Sequence, residues 1–298
     1  MARETRGAVA AQQRAEELAS LVPPLMIAAE RVAATVVQGV HGRRRVGQGE
    51  AFWQFRQYAP GDSLQRVDWR QTGKRDRVFI RETEWEAAQS VWLWRDTSAS
   101  MRYRSNARLP EKSERADLLA LALMVLLMNG GEHVALIGAD LPPANGRAAL
   151  TRFAQVMERT TDNGSSLPPP APLPRHAAAV LIGDFLSPLP EIDRAVRAIA
   201  GRGVKGHLVQ VLDPAEEDLP FTGRTRFEGL EAEGEALIPR VESVRADYQA
   251  VLAAHVAGLR DIARAVGWGF LSHRTDRSAQ SALLSLFVAL SQPSEVAR

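Results

Sequence analysis

Five short apolar runs, separated by segments of helical periodicity, constrain this chain more than any other feature. They are VWLWRD (91–96), HVALIGA (133–139), AAAVLIGDF (177–185), GHLVQVLD (206–213) and WGFLSHRT (268–275). Runs of this length are strand-sized, and apolar residues at both alternating positions mean burial on both faces, as in a parallel sheet covered by helices. Between them lie segments that predict helices over Arg115–Met128, Ala148–Arg159, Glu191–Ala200, Val241–Val266 and Ala279–Ser291. The alternation predicts an α/β chain, a doubly wound three-layer sandwich running from Val91 to the end.

The segments in front of this alternation read differently. Residues 1–40 predict a separate helical lead-in, with Pro23 and Pro24 before a stretch in which Leu25, Ala29, Val32 and Val36 recur at helical spacing. Residues 41–90 predict short strands and loops: Gly47, Gly49 and Pro60-Gly61-Asp62 break the chain, and VFIRETEWE reads as extended. This extension is too short and too charged to bury a core alone, and Trp53, Phe55, Tyr58 and Trp69 are expected to hold it against the sandwich. The expected organisation is a lead-in (1–40), a basic extension (41–90) and the α/β domain (91–298).

Charge is divided along the chain. The whole carries a formal +2, yet residues 41–81 hold nine Arg and one Lys against Glu50, Asp62, Asp68 and Asp76, which leaves the remainder acidic. Such a segment can face an acidic partner or nucleic acid. The absence of cysteine excludes a disulfide framework, a thiolate zinc site and a cysteine nucleophile, and fits a reducing compartment. The longest apolar run, Leu118–Met128, is 11 residues long, against about 20 for a bilayer span. The first twenty residues show no apolar signal region, so the expected location is the cytoplasm.

In a doubly wound sheet the functional crevice lies outside the carboxyl ends of the strands. Two apolar runs end there in carboxylates, Asp96 and Asp184. Asp96 is followed at alternate positions by Ser98 and Ser100, an arrangement that can aim a carboxylate and two hydroxyls at one centre. An all-oxygen half-shell suits Mg²⁺. The simpler account is that these residues cap the next turn, as their types commonly do.

The stretch DTSAS resembles the D-x-S-x-S signature of the von Willebrand factor type A domain. The segment before it, with Arg56, Tyr58, Gly61, Asp62, Asp68, Trp69, Arg70 and Lys74, is similar to the signature of the bacterial family called domain of unknown function 58. This resemblance covers roughly residues 47–101. It implies a type A-like fold, a metal-ion-dependent adhesion-like site with Asp96, Ser98, Ser100 and Asp184 on Mg²⁺, and a protein-interaction role. It further implies a MoxR-type AAA+ ATPase as partner, in maturing or remodelling a client complex. A Thr ligand is usual in the family's type A site, but the loop ADLPPANGRAAL has Asn145, Gly146 and Arg147 instead.

For the arginine-rich segment, ion pairing with its own carboxylates is the plain account. Nucleic-acid binding by arginines interleaved with aromatic rings is the second, and docking to an acidic protein through Arg43, Arg44, Arg45, Arg56 and Arg70 the third. A Mg²⁺-dependent phosphohydrolase of the haloacid dehalogenase type would need a second Asp two residues after Asp96, where Ser98 stands. G-x-S-x-G and Walker A patterns are absent. His255 is expected to be a packed, hydrogen-bonded residue, and Gly201, Gly203 and Gly206 to end a helix.

Overall fold

In the computed structural model, the described residues are 25–37, 52–57, 78–83, 90–160, 165–171, 173–175, 177–201, 203–230 and 234–290, with backbone alone for 52–57 and 79–83. Strands β1 (Phe52–Gln57) and β2 (Phe79–Thr83) form an antiparallel pair. The central sheet comprises β3 (Ser90–Arg95), β4 (His133–Leu136), β5 (Ala178–Gly183), β6 (Lys205–Leu212) and β9 (Gly269–Arg274). Its order is β4-β3-β5-β6-β9, and every pairing is parallel. Strands β7 (Thr225–Glu228) and β8 (Glu235–Ile238) make a separate antiparallel hairpin.

Helices cover both faces of the sheet, as strands apolar on both sides require. One face carries α1 (25–37), α2 (Lys112–Asn129), α3 (Arg147–Arg159) and α7 (Ala279–Leu290), whose buried residues join Leu93, Val180 and Val209 in one core. The other carries α4 (Leu189–Ala200) and α6 (Val241–Ala265), packed over Leu181, Leu208 and Trp268. This is a three-layer α/β sandwich. A short helix, α5 (Pro214–Asp218), follows β6 at its carboxyl end.

Two expectations change on contact with the fold. Helix α1 is not a separate lead-in: Ala29, Val32, Ala33 and Val36 are buried in the same core as α2 and α7. Gly206 does not end a helix but lies within β6, where a Cβ would stand 2.7 Å from the Trp268 ring. The described residues of the Pro-rich stretch, 165–171 and 173–175, form a loop seated on the sandwich, since Leu173 is buried in the α4/α6 core.

Strand order places the crevice. The chain runs from β3 outward to β4, then returns to the other side of β3 with β5 and continues to β6 and β9. The order therefore reverses between β3 and β5, and Asp96 and Asp184 leave those two strands.

Candidate functional site at the carboxyl edge of the sheet

The ladder holds beyond the last residue of β3, because Asp96 N donates to Ile182 O at 2.8 Å. Asp96 is thereby set beside the end of β5, and its side chain is fully buried. Gly183 makes room for it: a Cβ there would stand 2.9 Å from Asp96 Cβ. Asp96 Oδ1 accepts Ser98 N at 2.8 Å, so this carboxylate does fix the local turn. The expected capping is part of the arrangement and not the whole of it. Ser98 Oγ and Ser100 Oγ lie 3.1 Å apart, and Ser100 Oγ donates to Asp184 Oδ2 at 2.7 Å, joining positions 84 residues apart. The four oxygen-bearing residues named from the sequence, Asp96, Ser98, Ser100 and Asp184, therefore meet at one point.

Asp184 is held by a sharp change in backbone direction. Phe185 has φ +50°, in the left-handed region that a bulky residue rarely adopts. Burial enforces it: the ring is enclosed beside Trp94, with centroids 6.2 Å apart, and its carbonyl accepts from His255 Nε2 at 2.6 Å. His255 is thus the packed, hydrogen-bonded residue expected. The turn lets Leu186 N donate to Asp184 Oδ1, while Gln210 Nε2 donates to Asp184 O at 3.1 Å.

Two residues of this cluster escaped the sequence reading. Lys112 opens α2 and is wholly buried, and its Nζ donates to Asp184 Oδ2 at 2.9 Å and to Glu216 Oε1 at 2.5 Å. Burial works to lower the Lys112 pKa, but Asp184 and Glu216 outweigh it and the net shift is upward, so the ammonium stays charged. Burial pushes the Glu216 carboxyl up against the opposing pull of Lys112. Helix α2 begins three residues earlier than its apolar pattern suggests, and a lysine in LPEKSERAD looks solvated. A signal for Glu216 did exist: Asp213-Pro214-Ala215-Glu216 forms a capping box, with Asp213 accepting Ala215 N and Glu216 accepting Asp213 N. That box starts a helix at the edge where Asp184 lies.

In front of the cluster is a groove of about 500 Å³, with Ser100, Asp184 and Glu216 among its lining residues. Tyr103 and Tyr248 line it, the latter donating to Glu216 O at 2.6 Å. Burial, with Asp213 and Glu216, raises the Tyr103 pKa and keeps its hydroxyl protonated. Leu186 and Leu230 also line the groove and are 42% and 50% exposed. Glu191 and Glu228 add negative charge, and among the described residues no Lys or Arg is in the lining.

The Mg²⁺ that the resemblance implies must be tested against Lys112. An ion on these oxygens would share Asp184 Oδ2 with an ammonium already bonded to it, and like charges at that range repel strongly where water is excluded. In the intermediate loop Ala144 bridges Val134, and Asn145 Nδ2 donates to Glu132 O, which sets Asn145 at the amino end of β4 and away from the cluster. As arranged, these residues do not fit a divalent ion. Arg43, Arg44, Arg45 and Arg70 lie outside the described residues, as do Tyr58 and Trp69, and the side chains of Arg56, Trp53 and Phe55 are likewise outside them.

Fold and site together define an α/β sandwich with a carboxylate, hydroxyl and ammonium cluster at its topological switch point. The chain belongs to the family described as "Protein of unknown function DUF58", which matches residues 54–258. It is 29% identical over 282 residues to the uncharacterized protein Rv1480 of Mycobacterium tuberculosis (strain ATCC 25618 / H37Rv), covering 88% of this chain and 86% of that one. The uncharacterized protein Mb1516 of Mycobacterium bovis matches to the same extent. Among solved structures, the conserved hypothetical protein BatB from Bacteroides thetaiotaomicron is 16% identical, over 69% of this chain and 100% of the other, with a TM-score of 0.42. An aerotolerance-related membrane protein from Bacteroides fragilis NCTC 9343, with multiple mutations to serines, is 17% identical over 67% and 97%, with a TM-score of 0.41. Among the described residues of this chain, no helix is long and apolar enough to cross a membrane.

Proposed function

We propose that this chain is a non-enzymatic protein-interaction module of the von Willebrand factor type A kind, working with a MoxR-type AAA+ ATPase on a client complex. The ATPase and the type A assignment come from the family resemblance carried by DTSAS and the segment before it. The observation that carries the docking reading is the groove at the switch point, where Leu186 and Leu230 are exposed beside Tyr103 and Tyr248. Exposed leucines are ordinary singly, but two on the wall of one groove make a contact surface for a partner. Glu191, Glu216 and Glu228 give the groove a negative field, which favours a partner segment bearing Lys or Arg and steers its approach.

The non-enzymatic reading is supported by how the cluster's polar groups are engaged. Asp184 is tied by Ser100 and Lys112, and Asp96 by its own turn, so neither carboxylate is presented as a general base. The test is capture of the purified ATPase by the tagged protein. Leu230→Asp is expected to weaken capture about tenfold or more while the thermal midpoint stays unchanged. Capture unaffected by Leu230→Asp and by Glu228→Arg would remove the groove from the interface.

A further inference from the structure

Lys112 is placed where a lysine is costly. It stands in the first turn of α2, where the helix dipole disfavours a cation, and its side chain is completely covered. Burying an ammonium is costly unless good partners meet it. Two carboxylates do so: Asp184 comes from the end of β5 and Glu216 from α5, so one ammonium joins three segments that are remote in sequence. Asp184 Oδ2 also takes the Ser100 hydroxyl, which in turn lies against Ser98. The group at the hub of these oxygens is a cation belonging to the chain.

We propose that Lys112 is the built-in cation of this site and holds the carboxylate and hydroxyl cluster together with no divalent ion. A tethered ammonium differs from a metal ion in two respects. It cannot dissociate, so the cluster stays assembled whatever the divalent ion concentration. It also has no coordination position to offer, and because Lys112 is 0% exposed no partner carboxylate can reach Nζ. Contact with a partner then falls to the groove wall in front. The inference stands on the cluster's geometry and not on the docking reading. Its readout is ion binding, so it can fail while partner capture succeeds, or the reverse.

The test is titration of the purified full-length protein with Mn²⁺, followed by electron paramagnetic resonance, together with thermal melts in EDTA and in millimolar Mg²⁺. The parent protein is expected to show no saturable Mn²⁺ site in the millimolar range and the same melting midpoint in both buffers. Lys112→Ala frees the oxygens of their ammonium. It is expected to gain a saturable Mn²⁺ site at least about tenfold tighter than any in the parent, and a melting midpoint that rises with Mg²⁺. Saturable Mn²⁺ binding by the parent that disappears in Asp184→Asn would overturn the proposal, and this arm needs no Lys112 variant to fold. A folded Lys112→Ala that gains no Mn²⁺ binding would overturn it as well.

Discussion

Lys112 and His273 are buried ionisable residues whose neighbours set their charge state. Replacing Lys112 with Met keeps the side-chain volume but leaves Asp184 and Glu216 facing each other without a cation. Removing one member of a buried ion pair costs about 3–5 kcal/mol, and Lys112→Met is expected to lower unfolding stability by that amount in urea at neutral pH. Adding Asp184→Asn should recover part of the loss, and two independent additive losses would show that the pair is not coupled. His273 behaves in the opposite sense. Burial and the Arg115 guanidinium lower its pKa to about 4, with Arg277 adding to and Asp276 opposing that shift. Arg115 Nη1 lies 3.2 Å from Nε2, so the ring accepts there and must be neutral. Because the folded pKa is depressed, this stabilisation is full above the unfolded value near 6.5 and is lost as pH falls towards 4. The loss is about 3 kcal/mol at most, from 1.36 kcal/mol per pKa unit. His273→Gln keeps an acceptor but cannot titrate, and its stability should decline less than the parent's between pH 7 and pH 4.

Among the elements, α6 departs furthest from its sequence pattern. Val241, Val244, Tyr248, Val251, His255, Leu259, Ile262 and Val266 keep helical steps along one apolar face. In the structure Val241 and Leu259 are buried, yet Val251 is 71% exposed. The reason is where the helix finds cover. Its second half lies against α4 and the sheet, whereas Tyr248 in its first half turns its hydroxyl to α5 and the groove. Leu259→Ala is expected to cost about 2–5 kcal/mol, and Val251→Asp less than about 0.5. Chemical denaturation of the two variants checks the difference, and equal costs would mean that Val251 is covered as Leu259 is. Period alone marks a face; it does not say whether another element covers it.

For the molecule as a whole, α1 is the element whose attachment matters most, since it lies in sequence far ahead of the sheet it covers. Val36→Asp would bury an unpaired carboxylate in the core shared with α2 and α7, at an expected cost of about 3 kcal/mol or more. A single thermal transition shifted downward is the expected result, and an unchanged midpoint would mean that the helix does not contribute to that core. What the sequence by itself determined is what depends on local pattern: strand-sized runs apolar on both faces, helical periods between them, and carboxylates at two strand ends. Those features were sufficient for a covered parallel sheet and for Asp96, Ser98, Ser100 and Asp184 at its carboxyl edge. The tertiary structure alone decided what fills the space between them. Lys112 and Glu216 come from a helix start and a four-residue capping box whose local roles are complete without the site, and nothing in their neighbours along the chain distinguishes a buried ammonium from a solvated one. Their meeting depends on the order of strands in the sheet, because β5 and β6 stand side by side and aim Asp184 and α5 at the same end of α2. Burial then makes the difference physically, since a charge removed from water requires partners that a charge left in water does not.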